Sequence, residues 1–273
     1  MCYTGRELQK GGVCVPVVKG LETAFNTVCA AYDRWRPGYP PELYADIFAC
    51  CPLGAGSSAL EIGIGTGQAT APILDAGAAV TAVELGDRLS AFVREKFAGR
   101  DLRVINARFE ETSLPGGSFD LIYAASAFHW IPEEFGYREV FRLLKIGGVF
   151  ARFANHPYRD REHPALWEAI QELYAFYMPG SRAADEYTEK AARSRAETAG
   201  KYGFADISWR LYRRTRRFTG EEYTALLGTY SDHLALEEGK RREFFAAIRR
   251  VIVQAGGQIA ICDTVDLALA RKP

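Results

Sequence analysis

The chain has 273 residues, 48% of them hydrophobic and 25% charged, ordinary values for a globular protein that buries a core without staples. Lysine plus arginine and aspartate plus glutamate each total 34, so no global basic excess draws it to nucleic-acid phosphates. Its six cysteines form no CxxC pair, and Cys50 and Cys51 are too close in sequence for an easy mutual bridge, which favours free thiols in a reducing compartment over metal ligation.

No apolar stretch approaches the ~20 residues that span a bilayer. Residues 1–20 contain Lys10, Lys19 and a short Val13–Val18 run, too little for a signal peptide. They read as a loosely ordered extension, residues 21–273 as a single domain, and the cytoplasm as the default location. From Thr23 the pattern is helical as far as Arg34, where Pro37, Gly38, Pro40 and Pro41 impose an extended arm. Pro41 suits the first turn of a helix through Leu43, Ile47 and Phe48.

From Ser57 onward strands and helices alternate. Strands are predicted at residues 59–62, 79–84, 102–106, 119–124 and 149–153, with helices at 68–76, 87–97 and 133–144. The last helix ends close to Gly147 and Gly148, as helices commonly do. Strand character returns at 207–218 and 259–270, with helices at 223–227 and 237–255 between them. This is an α/β pattern: a Rossmann-like, seven-stranded, mostly parallel sheet with helices on both faces. Between the fifth and sixth strands, residues 155–206 form a helical insertion. Trp167, Ile170, Leu173, Tyr174 and Tyr177 recur at helical spacing, Met178-Pro179-Gly180 breaks the run, and a polar helix follows from Ala183 to Thr198. Such an insertion either packs on the sheet or covers a substrate.

The chemistry begins at the first strand-to-helix turn, Glu61-Ile62-Gly63-Ile64-Gly65-Thr66-Gly67. Its glycines let a ligand approach the backbone, and the following helix offers free N–H groups. Glu84 ends the second strand about 20 residues on, where an acid can accept from both ribose hydroxyls. A dinucleotide site favours GxGxxG, but here Gln68 stands where that third glycine would be. Glu61 suits a cationic sulfonium ligand with an amino group better than a pyrophosphate.

The run Ala59–Gly67 resembles the first motif of the class I S-adenosylmethionine-dependent methyltransferases. Phe119-Asp120-Leu121-Ile122-Tyr123 and Leu144-Lys145-Ile146-Gly147-Gly148 resemble later motifs of that family, in the right order. Ala127-Phe128-His129-Trp130 and the arm Arg36-Pro37-Gly38-Tyr39-Pro40 resemble the type 11, trans-aconitate methyltransferase-like subgroup that acts on small molecules. Thr229-Tyr230-Ser231-Asp232-His233 is also similar to a stretch of bacterial members.

The resemblance implies S-adenosyl-L-methionine as cofactor and a small-molecule methyl acceptor. Gly63 and Gly65 would flank the methionine and ribose parts, with Thr66 and Gly67 completing the loop, Glu61 behind the amino group and Glu84 on the ribose. Adenine would lie near Leu85 and the turn Ala107-Arg108-Phe109-Glu110, and Ala124 and Ala125 would face the methionine end. Many relatives carry an aspartate near position 108; Arg108 cannot accept from the adenine amino group, which leaves Glu110, a backbone carbonyl, or no such contact.

The sulfonium carries its own activation, so the enzyme aligns a nucleophile for in-line displacement without metal. A carboxylate acceptor needs no base; a hydroxyl or amine does. His129 is the base candidate and Trp130 a pocket wall, each with plain packing as its alternative. Tyr32 and Arg36 could close over the cofactor and hold an anion, and Arg36 with Arg152 favours a carboxylate. His156, His163 and His233 have no metal-ligand spacing and no assigned chemistry. Two rivals stand beside this reading. One is an RNA methyltransferase using Arg210, Arg213, Arg214, Arg216 and Arg217; the other is a binding protein that keeps the fold without turnover.

Overall fold

The computed structural model describes residues 28–273; the predicted extension and the helix start at Thr23 lie outside them. Two helices come first, α1 (Cys29–Trp35) and α2 (Pro41–Cys50), separated by the proline arm. Pro40 caps α2 in an extended conformation and Pro41 takes its first position, where a missing N–H costs nothing. The alternating region follows as β1 (Ser58–Ile62), α3 (Thr70–Asp75), β2 (Ala79–Glu84), α4 (Asp87–Lys96), β3 (Leu102–Asn106), β4 (Phe119–Ala125), α5 (Glu133–Leu143) and β5 (Leu144–Tyr158). Then come α6 (Pro164–Tyr177), α7 (Glu189–Glu197), β6 (Ala205–Thr219), α8 (Gly220–Leu227), α9 (Ser231–Leu234), α10 (Glu238–Gln254) and β7 (Gln258–Arg271).

The seven strands form one sheet in the order β3-β2-β1-β4-β5-β7-β6. All neighbouring pairs from β3 to β5 are parallel, and β7 runs antiparallel to both β5 and β6. The order reverses between β1 and β4, the topological switch point at which open α/β sheets leave a crevice beyond the strand ends. Apolar cores fill both faces. Leu43, Ile47, Ile73 and Val93 pack on one side with Tyr123 and Phe153; Phe109, Tyr137, Val140 and Phe150 pack on the other.

Two departures from the sequence pattern matter for the site. β5 extends to Tyr158 instead of stopping at Phe153, because β7 pairs with it from Val149↔Arg271 to Tyr158↔Cys262. Past Phe153 and Ala154, Asn155 and His156 enter hydrogen-bond networks, so no apolar alternation marks this end. The inserted helices also part company. α6 joins α8, α10 and the far ends of β6 and β7 in a third apolar cluster containing Ile170, Leu226, Phe244 and Ile259. α7 packs on β6 and β7 instead, with Ala192 and Ala196 buried against the sheet.

Candidate functional site

The loop between β1 and α3 lies at the switch point. Gly63, Gly65 and Gly67 have φ of +72°, +59° and +81°, where any side chain is strained. Their surroundings differ. A Cβ on Gly63 would sit 2.6 Å from the Ala127 Cβ, one on Gly67 would strike the Phe97 ring, and one on Gly65 would meet only Tyr32, at 3.8 Å. Gly65 is therefore the open position, and Gly67 admits an aromatic ring of the neighbouring layer. Thr66 is fully buried; its hydroxyl accepts from Gln68 at 2.6 Å and its carbonyl from Lys96 at 2.9 Å.

Glu84, at the end of β2, is 8% exposed. One carboxylate oxygen accepts from the Gly65 amide at 2.9 Å and the other from the Gly86 amide at 2.8 Å. Burial raises its pKa, and these N–H donors partly offset that. Asn106, unmarked by any sequence motif, donates to the carbonyls of Glu84 and Leu85 at 2.9 and 3.0 Å and so pins the turn after β2. Glu61 is buried, and a single oxygen accepts from Thr70 at 2.6 Å and Tyr123 at 2.8 Å. Loss of hydration pushes its pKa up to about 7 despite both hydroxyl donors. Leu85 is half-buried and Arg108 and Glu110 are exposed, while Phe109 turns into the core against Phe135.

β4 ends with Ala124 buried and Ala125 half-buried. Ser126 follows at φ +54°, a conformation costly for a non-glycine residue and often found where a site over-determines the backbone. Its hydroxyl pairs with the Tyr39 hydroxyl at 2.9 Å and accepts from the Asn155 amide at 3.3 Å.

Comparison with known proteins agrees with this geometry. Residues 60–152 match the family model of a methyltransferase domain. An uncharacterized methyltransferase of Geobacillus sp. is 32% identical over 54% of this chain and 72% of its own length. The chain belongs to the class I S-adenosylmethionine-dependent methyltransferases. Another uncharacterized methyltransferase, from Schizosaccharomyces pombe, is 27% identical over 84% of this chain and 86% of its own. A candidate type II methyltransferase of Anaeromyxobacter dehalogenans shares the fold with a TM-score of 0.61, at 23% identity, over 87% of this chain and 98% of that one. Phosphoethanolamine N-methyltransferase 2 of Haemonchus contortus, solved with S-adenosyl-L-methionine, superposes with a TM-score of 0.53 at 16% identity, over 91% of this chain and 57% of that one. S-adenosylmethionine is the cofactor of this methyltransferase.

The methyltransferase distributes the residues expected at an acceptor unevenly. Arg36 Nε donates to the Thr229 hydroxyl at 3.0 Å and its Nη2 to the Thr229 carbonyl at 2.8 Å. The guanidinium lies between the rings of Tyr32 and Tyr230, 4.9 and 4.0 Å from their centroids. Arg36 thus ties the arm to the segment after α8. The same segment supplies His233, which is buried between Asp232 at 2.7 Å and the Tyr174 hydroxyl at 2.8 Å. The stretch Thr229–His233 is in this way a fastener for the arm and α6.

Arg152 donates to the Tyr137 hydroxyl at 2.9 Å, stacks on Phe128 at 5.0 Å, and keeps a buried Nε without an acceptor. His129 and Trp130 lie in a single 3-10 turn after β4, with ring centroids 5.0 Å apart. Partial desolvation, then the charges of Arg195, Arg152 and His156, push the His129 pKa down to about 4, although the side chain is exposed. Two of these neighbours, His156 and Arg195, belong to a cluster that carries no sequence motif. His156 Nε2 lies 2.8 Å from Asp266, Tyr187 donates to Asp266 at 3.1 Å, and Arg195 Nη1 is 3.3 Å from the same carboxylate. Two signals could have exposed it: Arg195 stands in an alanine stripe at helical spacing, and Asp266 interrupts an apolar strand.

The basic run on β6 is largely paired. Arg210 meets Asp46 at 3.0 Å, Arg217 meets Glu162 at 2.6 Å, and Arg214 and Arg216 converge on the buried Asp263. Such pairing leaves little charge for a phosphate backbone. Among the described residues, no helix is long and apolar enough to cross a membrane.

Proposed function

We propose that this methyltransferase acts on a small molecule bearing a carboxylate, by in-line displacement without a metal. The observation that carries this reading is the pair of guanidiniums beyond β4: Arg152, stacked on Phe128 next to His129, and Arg195, beside His156 and Asp266. An imidazole with a pKa of about 4 is too weak a base to deprotonate a hydroxyl or an ammonium group efficiently near neutral pH. The same positive surroundings favour an acceptor that arrives already ionised.

The residues at the strand ends fit the cofactor. Gly65 leaves the loop open, and Glu84 keeps lone pairs beyond its two amide bonds for the ribose hydroxyls. Glu61 lies beneath the amino end, Gly63 holds the loop against Ala127, and Ala124 and Ala125 face the methionine end. Leu85 and the backbone from Arg108 to Glu110 border the adenine, while Phe109, Thr66 and Gly67 support the pocket from the core side. When bound, S-adenosylmethionine supplies a methyl group on an electron-poor sulfur. The chain's own residues then exclude water and align the acceptor: Trp130 and Tyr32 as walls, Arg152 as the anion holder. The arm at Arg36–Pro40 and the turn at Ala127–Trp130 favour the small-molecule subgroup that includes trans-aconitate methyltransferases.

The test is methyl incorporation from labelled cofactor across panels of carboxylic acids, phenols and amines. Label entering acids supports the proposal; turnover of neutral amines alone overturns it.

A further inference from the structure

We propose that Arg195 of α7 is a specificity-determining residue of the acceptor site, holding a carboxylate of the acceptor while Asp266 and Tyr187 aim its guanidinium. The inference rests on the carboxylate-acceptor reading above.

Placement comes first. Ala127 packs against Gly63 in the cofactor loop, and the turn it begins carries His129 two residues on. Arg152, opposite Ala124 on β5, stacks on Phe128 beside that imidazole, and two residues along the same face Ala154 pairs with Asp266, which Arg195 Nη1 meets at 3.3 Å. The helix α7 therefore brings a guanidinium to the acceptor side of the cofactor loop, although Arg195 lies 66 residues after His129 in the chain. Small residues make this approach possible, since Ala192 and Ala196 are buried on the same face and let the helix axis come close to the sheet.

Charge balance comes second. Arg152 and Arg195 share this side of the sheet with one buried acid, Asp266; the other buried acid of β7, Asp263, is three residues away on the opposite face, engaged by Arg214 and Arg216. Two guanidiniums thus face one buried carboxylate, and both hold a buried Nε with no acceptor. A cluster in this state is completed by an anion.

Aim comes third. Asp266 is 1% exposed and is covered by His156, Tyr187, Arg195 and the Ala154 amide. The His156 and Tyr187 rings stack at 3.6 Å, which fixes the back wall. Asp266 engages Arg195 through Nη1 alone, at 3.3 Å, so a planar ligand can still use the fork. Arg195 and His156 keep 17% and 23% of their side chains exposed, the edge through which an acceptor reaches them.

The experiment uses the full chain saturated with S-adenosylhomocysteine. Thermal shifts are measured with acetate, succinate and benzoate, each beside its neutral amide, for the wild type, Arg195→Gln, Arg195→Lys and the surface control Lys190→Gln. The expected result is stabilisation of the wild type and the control by at least one acid but not by its amide. Arg195→Gln should weaken that acid's apparent binding by roughly tenfold or more, and Arg195→Lys should restore part of it, with the shift caused by S-adenosylhomocysteine unchanged in both. Equal acid-dependent shifts in wild type and Arg195→Gln would overturn the role of Arg195 and leave the carboxylate reading standing. An absence of any acid effect on the wild type would overturn both. If Arg195→Gln fails to fold, Arg195→Lys decides the matter, because it keeps the charge and loses only the fork; unaltered acid binding there counts against the proposal.

Discussion

The carboxylate of Glu84 accepts from the backbone amide of Gly65 at 2.9 Å, so the acid that ends β2 also holds the loop that follows β1. Its other oxygen binds the Gly86 amide. Glu84→Ala is therefore expected to lose a ribose partner and to release the loop together. Calorimetry with S-adenosylhomocysteine should show affinity falling by tenfold or more, about 1.5–3 kcal/mol for hydrogen bonds to a charged group. Glu84→Gln should also bind weakly, because its NH2 would face an amide N–H. Unchanged affinity in Glu84→Ala would remove Glu84 from the ribose.

Glu61 makes stability depend on pH. Burial raises its folded pKa from the ordinary 4.5 to about 7, so between these values the folded state binds more protons than the unfolded one. Stability from this group is present below pH 4.5 and is lost as pH rises through about 7. The loss amounts to about 3 kcal/mol. Glu61→Gln keeps an oxygen to accept from Thr70 and Tyr123. Urea denaturation at pH 5 and pH 8 should show a fall in the wild type that is smaller in Glu61→Gln; parallel slopes would mean that Glu61 titrates normally.

His129 is expected to be dispensable as a base. With its pKa near 4, it stays neutral across the working range and offers little driving force for proton abstraction. His129→Asn should retain kcat on a carboxylate acceptor within about fivefold, without a new limb in the pH–rate profile. A loss of about 10²–10⁴-fold would mark it as a general base after all.

Arg36 is expected to act through stability. Its fork is taken by Thr229 and its faces by Tyr32 and Tyr230. Arg36→Ala should cost about 1–3 kcal/mol in urea denaturation, and Arg36→Lys should recover little, since an ammonium cannot reproduce the planar contacts. Unaltered stability with a raised KM for the acceptor would return Arg36 to the acceptor site.

Much of the fold was legible because its signals are local. Strands β2 and β3 fall at the predicted bounds, since parallel strands covered on both faces write short apolar runs. The end of β5 was not legible, because residues 155–158, with no apolar alternation, are held in the sheet by β7, more than a hundred residues away. Among the three loop glycines, spacing alone could not separate the open Gly65 from Gly67, whose lost side chain makes room for Phe97.

By itself the sequence determined the order of strands and helices, the glycine loop and the acid at the end of β2, since backbone sterics and apolar periodicity act within a few residues. Only the tertiary structure decided how the arginines are used. A guanidinium is defined by what meets its fork, and those partners come from distant segments: Thr229 for Arg36, Asp266 for Arg195. The loop proposed to recognise the methyl donor is therefore written in one stretch of chain, while the surroundings proposed for an acceptor are assembled from β4, β5, α7 and β7.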